Sequence, residues 1–252
     1  MKYSPKKIFN SIIALVLWPL ALIVFGISAG FYLLCTIFIS PKRLHILART
    51  VCRFILLGAG QLFVVKGKIP DPKNGPYLYL FNHQSYLDPF VLGATIKEYV
   101  SAVGGDFQFN WPVWGTIVKR YGVIPIIREN LTEAIHSLSL TEDAIKKGIS
   151  FLISPEGTRT VTGKMMPFKK GPFHVSLNTG VTIVPVGIKG AYNSYRRYDW
   201  RIYPGIITIH YGEPVKYDFY RNMTVEQLRD DIYGRIAVLC NDASAKIRGK
   251  SK

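Results

Sequence analysis

Cysteine is scarce and scattered: the 252 residues hold only Cys35, Cys52 and Cys240. An odd set so far apart makes neither a disulfide framework nor a metal-ligand cluster, and it fits a reducing cytoplasm. Acidic residues are few as well, 16 Asp+Glu against 32 Lys+Arg, for a formal net charge of +16. Such a surface attracts polyanions: nucleic acid, anionic lipid headgroups or phosphorylated small molecules. No nucleic-acid recognition motif accompanies the charge, so nucleic acid is not expected as a partner. Internal repeats and low-complexity tracts are missing too.

The most telling absence is of charge between residues 8 and 41, a stretch dominated by Ile, Leu, Val, Phe and Ala. Such a run belongs in lipid. As one straight helix it would measure roughly 50 Å at about 1.5 Å per residue, against a hydrocarbon core of roughly 30 Å. It must therefore tilt, break or double back, and Pro19, Gly26 and Gly30 are the candidate breaks. The run is too long for the apolar core of a cleavable signal. Basic residues flank both ends, with Lys2, Lys6 and Lys7 before it and Lys42, Arg43, Arg49 and Arg53 after it. That pattern favours both ends on the cytoplasmic side of the cytoplasmic membrane, as a re-entrant or interfacial helix pair would have them. Over residues 42–56 apolar residues recur every three or four positions opposite Lys42, Arg49 and Arg53, which predicts an amphipathic helix with a cationic face. It can lie on a membrane or pack on the globular domain.

From Gly67 the composition becomes that of an α/β domain, which predicts a membrane-anchoring segment over residues 1–66 and one domain over 67–252. Strands are predicted at 77–81, 99–103, 123–127, 151–154, 182–188 and 206–211. The helices between them are predicted at 89–96, 111–120, 131–147 and 170–179, with a closing helix over 224–247. Short strands alternating with helices imply a mainly parallel central sheet flanked by helices. The tail 246–252 is basic and expected to be mobile.

Two short segments carry the chemistry. In Asn82-His83-Gln84-Ser85-Tyr86-Leu87-Asp88 the chain leaves a predicted strand and opens a helix. A separation of five would turn His83 and Asp88 apart on a continuous helix, so their contact requires a bend. With it, the Asp88 carboxylate holds one imidazole nitrogen protonated and leaves the other free to take a proton from a substrate hydroxyl. Without it, the pair is a solvent-facing histidine beside a helix cap. In the second segment, Ser154-Pro155-Glu156-Gly157-Thr158-Arg159 follows a buried strand, where open α/β sheets bind ligands. Gly157 permits close backbone approach, and Arg159 can grip phosphate through paired hydrogen bonds. His45, His136, His174 and His210 have no motif partners. The cluster Tyr192, Tyr195, Arg196, Arg197, Tyr198 reads as an interfacial loop or a ligand contact. Trp111 and Trp114 read as core or interface aromatics.

Taken together these segments resemble the glycerolipid acyltransferase family, which includes bacterial 1-acylglycerol-3-phosphate acyltransferases. His83 and Asp88 match its histidine, four spacers, aspartate block. Residues 122–128, ending in Arg128, are similar to its second block, and residues 155–159 match its third. Phe168-Lys169-Lys170-Gly171 resembles the basic stretch that follows, and residues 183–186 resemble the fourth. The resemblance spans roughly 67–214. Pro125 stands where the family usually shows an aromatic residue and Ile127 where an aspartate is common, which leaves the shape of the acceptor pocket open.

The resemblance implies a membrane-bound O-acyltransferase with His83 as general base and Asp88 as its orienting partner. Arg128, Glu156, Gly157, Thr158, Arg159 and Lys169 would bind the acceptor, 1-acylglycerol 3-phosphate or another hydroxyl acceptor. The co-substrate would be an acyl thioester, acyl-CoA or acyl carrier protein, with no cofactor and no metal. Backbone amides near Gly157 are the candidate oxyanion donors. A noncatalytic membrane-tethered polyanion-binding protein would share the charge and the apolar run, but not the two motif segments together.

Overall fold

In the computed structural model, residues 5–241 are described, with side chains from Ile8 onward; the basic tail, the part of the predicted closing helix beyond residue 241, Lys2 and the side chains of Lys6 and Lys7 lie outside them. Helix α1 (Pro5–Phe38) runs unbroken through Pro19, Gly26 and Gly30. Doubling back happens after it, at the turn where Arg43 and Leu44 donate their amides to the Ser40 carbonyl and Pro41 blocks continuation. Helix α2 (His45–Gly58) then returns antiparallel, so that Gly58 meets Val24 and Gly60 meets Leu17.

One stripe of α1, with Ala14, Ala21, Ala29 and Tyr32, is buried, while Ile12, Leu15, Val16, Ile23, Ile27, Phe31, Leu34 and Phe38 are exposed. By length and composition α1 suffices to cross a membrane. The returning helix packs on the domain: His45 Nε2 donates to the Lys97 carbonyl at 2.7 Å and Arg53 Nε to the Ala94 carbonyl at 3.2 Å. Arg53 sits at the carbonyl end of a helix, where its dipole favours positive charge. Arg53 of the expected cationic face thus serves the globular contact.

The chain continues through β1 (Gln61–Lys66), β2 (Tyr77–Phe81), α3 (Asp88–Thr95), β3 (Val100–Gly105), α4 (Trp114–Tyr121) and β4 (Ile124–Ile126). It proceeds through α5 (Leu131–Lys146), β5 (Ser150–Ile153), α6 (Gly171–Thr179), β6 (Thr182–Lys189), α7 (Ala191–Ser194), β7 (Gly205–Tyr211), α8 (Tyr217–Tyr220) and α9 (Val225–Cys240). Seven strands form one sheet in the order β1-β7-β6-β2-β5-β3-β4. Every pairing is parallel except β6 with β7, so the sheet is mostly parallel, as predicted. Strand β1 was not foreseen; it pairs with β7 along its whole length and lies on the N-terminal side of the boundary expected at residue 67.

The sheet separates two cores. Tyr79, Phe81, Val91, Leu92 and Val184 pack beneath α1, α2 and α3, while Leu78, Leu80, Phe151, Ile183 and Phe173 pack beneath α6 and α9. Adjacent residues of β2 alternate between them, as the period of two requires. The family-like run 183–186 lies within β6 and is buried there. It builds the core beside β2 rather than the site.

Candidate active site

The carboxyl ends of β2, β3, β4, β5 and β6 share one edge of the sheet. His83 leaves β2, Arg128 follows β4, the 154–159 loop leaves β5, and α7 follows β6. This is the edge at which open α/β sheets bind ligands.

Each residue of the first motif has an anchor. Asn82 is buried, with its Nδ2 donating to the Ile188 carbonyl at 2.9 Å and its Oδ1 accepting the Ile188 amide at 2.7 Å. Gln84 Oε1 accepts the Tyr192 amide, and Ser85 Oγ donates to the Tyr195 carbonyl at 2.9 Å. These bonds force the bend. Asp88, fully buried at the start of α3, then brings Oδ2 to 2.8 Å from His83 Nδ1 and accepts the Gln84 and Ser85 amides at 2.6 and 2.8 Å. The Asp88 carboxylate thus stands at a helix N-terminus with two backbone donors and the imidazole on one oxygen. His83 Nδ1–H therefore points at Asp88, and Nε2 keeps its lone pair free. The side chain of His83 is about one-fifth exposed, so it remains accessible.

The second motif divides its labour differently from the expectation. Glu156 is buried and does not line the cavity; its Oε1 accepts the His83 amide and its Oε2 the Met166 amide, both at 2.9 Å. It therefore positions His83, a correction to its expected place among the acceptor contacts. Glu156→Ala should destabilise the protein by about 1.5–3 kcal/mol for each bond lost to the charged group. Denaturant midpoints measure this, and an unchanged midpoint would refute the role.

The amide of Gly157 donates to the Ser154 carbonyl at 3.1 Å, so of the backbone amides near Gly157 this one is already engaged. Its φ of +70° needs glycine, and a Cβ there would lie 3.1 Å from Lys169 Cε. Lys169 thus passes close over the loop. His83, Arg128, Gly157 and Lys169 line the cavity, whereas Thr158 and Arg159 stand outside its wall.

Arg159 stacks on the Tyr86 ring at 3.3 Å from its centroid, and its buried Nη1 has no partner. Arg197 Nη1 donates to Thr158 Oγ1 at 3.0 Å and to the Arg159 carbonyl at 3.1 Å. Arg128 follows β4 at the same edge. Burial lowers the pKa of both Arg128 and Arg159, and the nearby charge of Arg197 adds to the effect in each. Arg197 thus repels both Arg128, which Glu129 and Asp106 partly offset, and Arg159, a cost that a bound dianion would relieve. Arg197 is the residue the motifs did not reveal; its signal was the Arg196-Arg197 pair among tyrosines.

The cavity measures about 1020 Å³. One arm runs beneath the helical hairpin along β3 from Gly105 to Val100, roughly 16 Å at about 3.3 Å per residue. Phe25 and Tyr32 of α1, Cys52 of α2 and Tyr121 of α4 line this arm. Its lining is mostly apolar, and His83 stands in the wall of the same cavity. Among the described residues no group of His, Cys, Asp and Glu is suited to hold a metal ion.

A model of the Acyltransferase family matches residues 30–189, a span that includes His83, Asp88, Arg128, Glu156, Gly157, Thr158, Arg159 and Lys169 but not Arg197. The chain belongs to the Acyltransferase family. The chain is 30% identical over 167 residues to the "1-acyl-sn-glycerol-3-phosphate acyltransferase" of Cocos nucifera, covering 66% of this chain and 54% of that one. It is 27% identical over 212 residues to the Haemophilus influenzae protein of the same name, covering 83% of each. The chain spans about half the length, or less, of the first plant relatives it matches. Its fold is that of the crystal structure of the LPA acyltransferase PlsC from Thermotoga maritima, with a TM-score of 0.80 at 20% identity and 98% of each chain covered.

Proposed function

We propose that this protein transfers a fatty acyl group from a thioester donor to the free hydroxyl of 1-acylglycerol 3-phosphate, giving phosphatidic acid. The observation that carries the reading is the 2.8 Å contact of His83 with Asp88 beside Arg128, Arg159 and Arg197. His83 Nε2 takes the hydroxyl proton as the substrate oxygen attacks the thioester carbonyl. The tetrahedral oxyanion collapses, the C–S bond breaks, and the proton on Nε2 passes to the departing thiolate. A new C–O ester bond replaces the thioester, so the enzyme need supply no nucleophile of its own. The relatives' names support the acceptor, and the guanidinium cluster supports its phosphate.

The apolar outer face of α1 supports residence in a membrane, and the basic residues on both sides of the run support the cytoplasmic membrane with the catalytic edge toward the cytoplasm. A contiguous exposed apolar surface of this kind marks contact with lipid. Net positive charge adds attraction to anionic headgroups. Acceptor and product would both reside in that membrane, and the apolar arm along β3 suits a fatty chain.

Mass spectrometry of products from purified protein, labelled acyl-CoA and a set of lysolipids tests the acceptor. Phosphatidic acid should dominate; preferential acylation of lysophosphatidylcholine or lyso-ornithine lipid would overturn the reading. Arg197→Ala should raise KM for lysophosphatidate by about tenfold or more, equivalent to about 1.4 kcal/mol, with a smaller effect on kcat. An unchanged KM would take Arg197 out of the phosphate site.

A further inference from the structure

The cavity has a second arm that the acyl chain and the acceptor phosphate leave unassigned. Past His83 it crosses the sheet edge at Ser154 and Pro155 and continues on the opposite face as a groove between α5 and α6. Ala134, Ile135 and Leu138 give it an apolar floor, and Ser139, His174 and Asn178 a polar rim. Ile135 is exposed. At its far end Asn178 Nδ2 donates to Glu142 Oε1 at 2.9 Å, and exposed Lys146 stands one turn further along the same side of α5. From Leu131 to Glu142 the groove follows roughly 16 Å of helix at about 1.5 Å per residue.

We propose that this groove holds the phosphopantetheine arm of the acyl donor, with Lys146 meeting its phosphate end; the inference rests on the thioester-dependent transfer proposed above. Three groups diverge from the reacting carbonyl carbon: the acyl chain, the sulfur and the attacking oxygen. The apolar arm along β3 fits the first, and the guanidinium cluster fixes the side from which the third arrives. The α5–α6 groove is the direction left for the sulfur. Pantetheine alternates amides with methylene and methyl groups, which matches an apolar floor under a polar rim. It ends in a phosphate, which matches a terminal lysine. A second fatty chain would instead set methylenes against Glu142, Asn178 and Lys146, at the cost of their hydration. The same arm is carried by acyl-CoA and by acyl carrier protein.

Ser139→Trp tests this, because Ser139 is exposed and a larger side chain there fills the groove without entering the core. Initial rates are compared for palmitoyl-CoA, palmitoyl-acyl carrier protein and the palmitoyl thioester of N-acetylcysteamine, which ends before the distal amide and the phosphate. The variant should raise KM for a phosphopantetheine donor by about tenfold or more while leaving KM for the truncated donor and for lysophosphatidate within about twofold. Lys146→Glu should repeat the pattern. A defect confined to CoA or to carrier protein supports the groove and names the donor that uses it. Equal losses with the truncated donor, a raised KM for lysophosphatidate with every donor, or no effect with any would overturn the proposal. A wild-type protein that acylates no acceptor with any donor would instead bring down the transfer reaction itself.

Discussion

His83→Ala should lower turnover by about 10²- to 10⁴-fold, the contribution of a positioned general base, with the fold retained. The imidazole makes its bond to Asp88 through Nδ1, whereas the structural bonds of residue 83 are made by its backbone. Its amide donates to Glu156 and its carbonyl accepts from Thr160, and alanine keeps both. Asp88 Oδ2 would lose one donor and keep the Gln84 and Ser85 amides. Labelled acyl incorporation measures the loss, and circular dichroism with vesicle flotation checks fold and membrane binding. Near-normal turnover would remove the imidazole from the mechanism.

Asp88→Asn should cost turnover on the order of 10²-fold or more, because the negative charge that stabilises the imidazolium disappears while the side-chain shape remains. The asparagine oxygen can still accept the Gln84 and Ser85 amides, with the new amino group at the position of Oδ1, which is buried without a partner. KM for the acceptor should change little. Asp88→Ala should behave differently, since two buried amides then lose their acceptor at about 1–3 kcal/mol each. The contrast separates electrostatic from structural work: equal denaturant midpoints for Asp88→Ala and the wild type would contradict the buried role. Equal kcat values for Asp88→Asn and the wild type would contradict the catalytic one.

What was legible in the sequence was whatever depends on local pattern. The buried run 77–81 became the central strand β2 because residues enclosed on both faces read as continuous apolar sequence. The closing helix was announced by Thr224 with Gln227, which form a capping box. Strand β1 escaped notice because Leu62, Val64 and Val65 are exposed at the sheet edge and follow an apolar helix without any change of composition. The unbroken α1 also departs from local expectation. Proline in a helix interior costs about 3 kcal/mol, yet Trp18 beside it packs on Tyr195 and donates its indole N–H to the Trp200 carbonyl.

At the site, the pairing of His83 with Asp88 could be posed but not settled from spacing, because the bend depends on Asn82, Gln84 and Ser85 reaching β6 and the segment after it. The same long-range logic turned Glu156 from a ligand contact into a brace and brought Arg197 to Thr158. A single sequence names the residue types that chemistry needs; it does not say which backbone groups will claim them first.

The central claim is that Asp88 holds the proton on Nδ1 of His83 and leaves Nε2 as the base. Nitrogen-15 NMR of the full chain with labelled histidine, assigned by the loss of one ring signal in His83→Ala, reads this tautomer directly. At neutral pH a protonated, pyrrole-like Nδ1 and an unprotonated, pyridine-like Nε2 are predicted. The reverse pattern, with the proton on Nε2, would contradict the account.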